Sequence, residues 1–199
     1  MLLLCWTAGL FLFDAASFTG HMVVHMGIVV VAAPLVAIAI AGSGYGGPAW
    51  LSPIPMSFVE LVVVWAWHMP TLRELAETSL VARALEQGTF LAAGILLWLS
   101  CLAGRGRKSM RRRLSGVFAL LLTSMHMTLL GVLLTMAPRP LYGEGEVTCL
   151  GFVLTAEQDQ QSGGVIMLML GAVAYLVGGL ALFRSAMEEP GEDAGRRPV

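Results

Sequence analysis

Four histidines, each followed directly by a methionine, are the residues of this sequence best suited to chemistry: His21-Met22, His25-Met26, His68-Met69 and His126-Met127. Imidazole nitrogen with thioether sulfur is a soft donor set, which suits Cu(I) better than magnesium, calcium or manganese. His21 and His25 stand at i and i+4, so they share one helix face about a turn apart, with Met22 and Met26 on the neighbouring stripe. Methionine also fills gaps in helix packing without binding anything, and for the methionines taken alone packing is the stronger reading. An ionisable ring inside an apolar chain is different, because burying it in a bilayer is costly. His68, next to Trp65 and Trp67, also fits an aromatic belt at a membrane surface.

The acidic residues have plain and functional readings of similar weight. Asp159, in AEQDQQSGG, stands at a helix entrance, where a carboxylate caps backbone N–H groups and meets the helix dipole. The alternative is that it orients a ligand histidine or receives an arriving cation. Glu86 has the same two readings. Glu60 lies away from the histidines and is left as a proton or packing contact, while Gly163 and Gly164 most simply permit close helix approach. Cys5, Cys101 and Cys149 lack any CxxC spacing, so no disulfide framework or thiolate zinc site is indicated. There is no glycine-rich phosphate loop, no Ser-His-Asp order and no basic nucleic-acid surface. The residues therefore point to a site that holds an ion, not to an enzyme or a nucleic-acid binder.

The elements that position these residues follow from composition. With 57% hydrophobic and 13% charged residues, the chain has too few charges to cover a soluble globule of its size. It reads as an all-α, polytopic transmembrane bundle of about six helices, expected at Leu2–Phe13, His21–Ala41, Ile54–Met69, Ala84–Leu102, Arg112–Ala137 and Gly163–Arg184. The second covers about 21 residues, roughly 31 Å, enough to span a bilayer core. Leu2–Phe13 has no basic n-region and no small-residue cleavage site, so it is expected to be a helix and not a cleaved signal. The linker TLRELAETSLVAR carries Leu72, Leu75, Ala76 and Leu80 at helical spacing and is expected to lie along the interface. Residues 138–161 form a long loop, and residues 187–199 form a polar tail.

Basic residues set the orientation. Arg105, Arg107, Lys108, Arg111, Arg112, Arg113, Arg184, Arg196 and Arg197 fall on one side of this arrangement, against Arg73, Arg83 and Arg139 on the other. The positive-inside rule then makes both termini cytoplasmic. His21, His25 and His68 are expected near the outer surface, and His126 roughly 16 Å below the outer end of its helix.

The runs SFTGHMVVHMGIVVVAAPLVAIAIAG, WAWHMPTLRELAETSLVARALEQGTFLAAGILLW, HMTLLGVLLTMAPRPLYG and DQQSGGVIMLMLGAVAYLVGGLALF resemble, in this order, the CtaG family of caa-type cytochrome c oxidase assembly factors. The resemblance implies a multipass protein of the bacterial cytoplasmic (inner) membrane that helps to load copper into a respiratory oxidase. Its expected partners are an oxidase subunit, a periplasmic copper carrier and the lipid bilayer. Carried onto this sequence, it points to His21, His25, His68, His126 and Asp159 as the functional polar set, with Met22, Met26, Met69 and Met127 beside them. Two departures from the family pattern are expected: relatives carry another helix before the first one here, and many carry a histidine where Gln87 stands. Two other functions fit the histidines: a haem-binding oxidoreductase with bis-His ligation, for example by His25 and His126, and a copper permease, which would need ligands across the whole bilayer.

Overall fold

The computed structural model describes residues 17–44, 47–48, 50–103, 107–149 and 151–188. The expected first helix, Leu2–Phe13, and the tail beyond residue 188 lie outside the described residues. The first described helix, α1, runs over Phe18–Gly42. It starts earlier than expected because the Ser17 hydroxyl accepts the Gly20 N–H at 3.1 Å, an N-cap that fixes the first turn. Its middle, Gly27–Ala32, widens into a π-helix. Pro34 follows, has no N–H to donate, and makes the wider turn the economical way to continue the helix.

Helix α2, Pro53–Trp67, opens on a proline, at a position where the missing N–H costs nothing. It closes before Pro70, which holds Met69 extended at φ −68° and ψ 133°. Helix α3 follows at Pro70–Thr78, then the extended Ser79, whose hydroxyl accepts the Ala82 N–H at 3.3 Å and starts helix α4, Leu80–Leu102. That cap puts the start of α4 four residues ahead of the expected Ala84. Helix α5 spans Arg107–Thr135, and helix α6 spans Ala156–Glu188. Between them, inside what the sequence suggests is a long loop, two strands pair antiparallel: β1, Glu146–Cys149, with Glu146 opposite Thr155, and β2, Phe152–Thr155, turning through Gly151 at φ 85°. Strand β2 runs straight into α6, which therefore begins at residue 156 instead of 163.

Helices α1, α4, α5 and α6 are long and apolar enough to cross a membrane, and α2 is shorter at 15 residues. The architecture is the expected all-α bundle. Its outer faces are apolar, with Val31 and Leu35 of α1, Phe118 and Leu129 of α5 and Val173 and Leu176 of α6 all exposed, while His25, Ser57, Glu60, Glu86, Thr123 and Asp159 are buried. Polar side chains turned inward beside an apolar core, and apolar ones turned outward, is the distribution that lipid allows.

Two sets of contacts mark the two ends. At one end Arg112 donates to the carbonyls of Ala103 and Leu51 at 2.7 and 2.8 Å, and Arg113 donates to the Ser185 carbonyl at 2.8 Å. These arginines therefore fasten the end of α4, the approach to α2, the start of α5 and the end of α6. The other end gathers the start of α1, the end of α2, α3, the start of α4 and the entry to α6.

The linker expected to lie along the interface forms helix α3 and the first turn of α4, with Leu75 and Leu80 exposed and Arg73 and Ala76 buried. In a lipid setting the leucines can face hydrocarbon, so it is the polar side that turns inward.

The α5–α6 pair depends on small residues. A Cβ placed on Gly164 would stand 3.0 Å from the Gly131 carbonyl oxygen and 2.5 Å from Thr135 Oγ1, and one on Gly131 would stand 3.0 Å from the Gly164 oxygen. Gly164→Ala is therefore expected to cost about 1–3 kcal/mol by overpacking. Gly88→Ala, at a position with nothing within 4 Å, serves as the neutral control. Thermal unfolding of both variants in detergent checks the difference.

Candidate metal centre

The entry to α6 fixes the start of α1. Asp159 Oδ2 accepts the Phe18 N–H at 2.6 Å, and Oδ1 accepts both the Thr19 N–H and the Ser17 hydroxyl at 3.0 Å. The Thr19 hydroxyl donates back to the Asp159 carbonyl at 2.8 Å. Asp159 thus caps not its own helix but its neighbour, and sets where His21 falls one turn later. Gln160, beside it, takes the Leu141 N–H at 2.6 Å and donates to the Leu134 carbonyl at 2.9 Å, tying the end of α5 to the following loop. The DQQSGG run is a structural hub of the bundle: Asp159 for α1, Gln160 for α5, Gly164 for close approach.

Three imidazoles gather at this end. The rings of His21 and His25 lie parallel, 6.2 Å apart between centres, and His25 meets His68 edge to face at 5.7 Å. Phe90 closes one side of His25 at 4.0 Å. The His68 ring is oriented by its Nδ1, which donates to the Val64 carbonyl at 2.7 Å, leaving Nε2 buried without a partner. Both ring nitrogens of His25, a residue with 0% exposure, are also buried and unpartnered. An unpaired buried polar atom costs about 1–3 kcal/mol, and the one lone pair of neutral His25 with the Nε2 lone pair of His68 are two facing acceptors that a cation would satisfy.

His21 is held differently. Arg73 Nη1 stands 2.8 Å from His21 Nδ1, and a guanidinium can only donate. His21 Nδ1 is therefore the acceptor, and its proton sits on Nε2, which points at Glu86 Oε1 3.5 Å away. Arg73 Nη1 also reaches Glu86 Oε1 at 3.7 Å, and Arg73 Nε reaches Glu77 at 3.1 Å. A fully buried carboxylate normally holds its partners near 2.7–2.9 Å. Glu86 is held loosely.

As they stand, no three His, Cys, Asp or Glu side chains among the described residues are poised to ligate one ion. The reach is nonetheless right for a pair. With metal–nitrogen bonds of about 2.0 Å, two imidazoles sharing an ion have ring centres roughly 6 Å apart, close to the 5.7 Å between His25 and His68, the two rings with open nitrogens.

The other expected site residues are placed elsewhere. His126 is buried with both ring nitrogens unpartnered, but no ring contact among the described residues joins it to the other three. Met22 packs at Gly163, with its Cγ 3.0 Å from where a Cβ would stand, and Met26 and Met127 meet at Gly171. These thioethers fill the glycine notches of α6. Met69 is exposed and bonds through its backbone, its carbonyl accepting the N–H groups of Leu72 and Arg73 at 3.0 Å and its N–H donating to the Ala66 carbonyl at 3.1 Å.

Arg73 and Tyr142 are site residues that the pattern alone did not single out. The phenol of Tyr142 donates to the His68 carbonyl at 2.6 Å, and its ring stacks on Phe18 at 4.5 Å. It latches the loop after α5 over the imidazoles.

A second buried polar group lies deeper. Tyr175 donates to Glu60 Oε1 at 2.6 Å, Ser57 and Thr123 share a hydrogen bond at 3.0 Å, and Glu60 Oε2 has no partner. Glu60 is thus held between α2 and α6, apart from the imidazole cluster.

Fold and site together define a helical membrane protein with a buried imidazole cluster at one end of its bundle. The chain matches the cytochrome c oxidase caa3 assembly factor family, Caa3_CtaG, over residues 47–189, and it belongs to that family. Neither a curated protein nor a solved structure matches it. The matched span carries His68, Arg73, Glu86, His126 and Asp159, whereas His21 and His25 precede it.

Burial pushes the Tyr142 phenol up to about 12, against the pull of the nearby Arg73 guanidinium. Its unfolded value is about 10. The folded state holds the proton more tightly, so this contribution to stability is present below about pH 10 and is lost as pH rises towards about 12. Tyr142→Phe is expected to flatten that alkaline loss and to lower stability at neutral pH by about 1 kcal/mol for the missing hydrogen bond. Thermal unfolding followed from neutral to alkaline pH reads both effects.

Proposed function

We propose that this oxidase assembly factor holds copper, as Cu(I), at the imidazole cluster and passes it to an oxidase subunit. The observation that carries the reading is His25, whose two ring nitrogens are buried without partners between the rings of His21 and His68. Neutral imidazole is a good ligand for copper, and a site of few donors suits Cu(I) that must later be released by exchange with a partner's ligands. His25 and His68 supply the open nitrogens. His21 and Glu86 stand beside them, and Asp159 and Tyr142 hold the helices that carry them.

Direction follows from charge. Arg112, Arg113 and Arg184 lie at the end of the bundle away from the imidazoles, and by the positive-inside rule that end faces the cytoplasm. The cluster then opens outwards in a bacterial inner membrane, where a periplasmic copper carrier could deliver to it. No substrate is turned over. The haem reading draws less support, because His25 and His126 are not in ring contact among the described residues. A permease would need ligands along the whole path, and the deeper group around Glu60 offers oxygen donors that are poorly matched to Cu(I).

The test is copper content. Wild-type protein purified in detergent and loaded with Cu(I) under reducing conditions is expected to retain copper, and cells carrying it are expected to load their oxidase. His25→Ala and His68→Ala should each weaken binding by more than the roughly 10- to 100-fold typical of losing an outer-shell partner. Unchanged copper content in both variants, with normal oxidase loading, would remove the copper assignment.

A further inference from the structure

We propose that Arg73 is a resident counter-ion which a cuprous ion on His25 and His68 must displace to gain His21 as a further ligand, so that helix α3 acts as the gate of the complete site. The inference rests on the copper reading above and adds how access to His21 is controlled.

The guanidinium occupies the position where a cation would be wanted. It lies with one nitrogen 2.8 Å from His21 Nδ1 and 3.7 Å from Glu86 Oε1, and Arg73 is only 4% exposed. Its contacts consume the lone pair of His21 that a metal would use, since the proton on that ring sits at Nε2. Two positive charges cannot share Glu86 at such range without strong repulsion in a site shielded from water. Copper on His21 or beside Glu86 and the guanidinium in its present seat are therefore mutually exclusive.

The loose fit of Glu86 points the same way. This carboxylate has 0% exposure, yet its nearest partners stand at 3.5 Å (His21 Nε2), 3.7 Å (Arg73 Nη1) and 3.5 Å (Gln87 Nε2). A permanent buried ion pair would close to hydrogen-bond distance to repay its desolvation. A pair left open by nearly an ångström is easily exchanged.

Helix α3 is built to carry the arginine away. It is a nine-residue unit between two extended residues, Met69 and Ser79, which are natural hinge points. Its far end is held by Arg83, which donates to the carbonyls of Ala76 and Glu77 at 3.2 and 3.0 Å, so a pivot about that end leaves α4 undisturbed. Glu77, 3.1 Å from Arg73 Nε and partly exposed, gives the guanidinium a partner that travels with it. Arg73 therefore need not leave unpaired.

The experiment compares Cu(I) affinity of the full chain in detergent, by competition with a chromophoric Cu(I) chelator, for wild type, Arg73→Gln and Arg73→Lys. Removal of the charge in Arg73→Gln is expected to tighten binding by about tenfold, in the usual range for coupled equilibria, while Arg73→Lys stays near wild type. Amide exchange over residues 70–78 of the wild-type chain is expected to speed up on Cu(I) loading, and this readout stands even if the glutamine variant fails to fold. If wild type binds copper but Arg73→Gln binds it no more tightly, or if exchange in 70–78 does not rise, the gate is overturned and the copper site survives. If no form binds Cu(I), the copper reading itself falls and takes the gate with it.

Discussion

The carboxylate of Asp159 takes up the free N–H groups at the start of α1, and the position of every imidazole on that helix follows from this one contact. A helix beginning in a low-dielectric setting cannot leave its first amides to water, because no water is there to take them. The negative charge also meets the positive end of the α1 dipole. Once Phe18 is fixed, His21 and His25 fall one and two turns down the face that looks towards α3 and α4, and Met22 and Met26 turn towards the glycine notches of α6. The residue that looked like a site ligand in the sequence is thus the one that sets the site's register.

The same solvent logic explains why the polar side chains lie inside. Hydrocarbon rewards leucine and phenylalanine on the outside of the bundle as readily as a core would, so burial need not be apolar here. Ser57, Glu60, Thr123 and Tyr175 answer one another across α2, α5 and α6. Arg73, on a helix whose leucines face outwards, completes a chain of contacts through His21 to Glu86. Several buried polar atoms remain without a hydrogen-bond partner, and those of His25 and the Nε2 of His68 lie on rings that face each other, which marks them as a place for something to bind.

Binding and release make opposite demands on such a place. A fully satisfied cluster would be a rigid, inert core, and a fully open one would be too costly to fold. Here His25 and the Nε2 of His68 are left unpaired while the guanidinium and Glu86 stay near each other without closing. The Phe90 and Tyr142 rings wall the cluster in, and the Tyr142 hydroxyl grips the backbone at His68. The arrangement keeps ligands in place by what surrounds them and leaves the nitrogens of His25 and the Nε2 of His68 uncommitted.

Much of the molecule is legible in the order of its residues. Apolar runs of membrane length, prolines at Pro53, Pro70 and Pro138, and arginines crowded beside α5 determine an all-α bundle with two chemically different ends, because each of these is a property of one segment against its solvent. The spacing of His21 and His25 likewise determines that they share a face, and Gly163 and Gly164 that a helix comes close. Segment by segment, the sequence cannot say what lies across that face. It took the tertiary structure to bring Arg73 under His21, to hand the Asp159 carboxylate to a different helix, to send Met22 and Met26 away from the imidazoles, and to pair strands within the loop before α6. The physical reason is that periodicity is defined about a helix's own axis, whereas a partner is chosen by packing between axes, through contacts as far apart in the chain as Phe18 and Asp159.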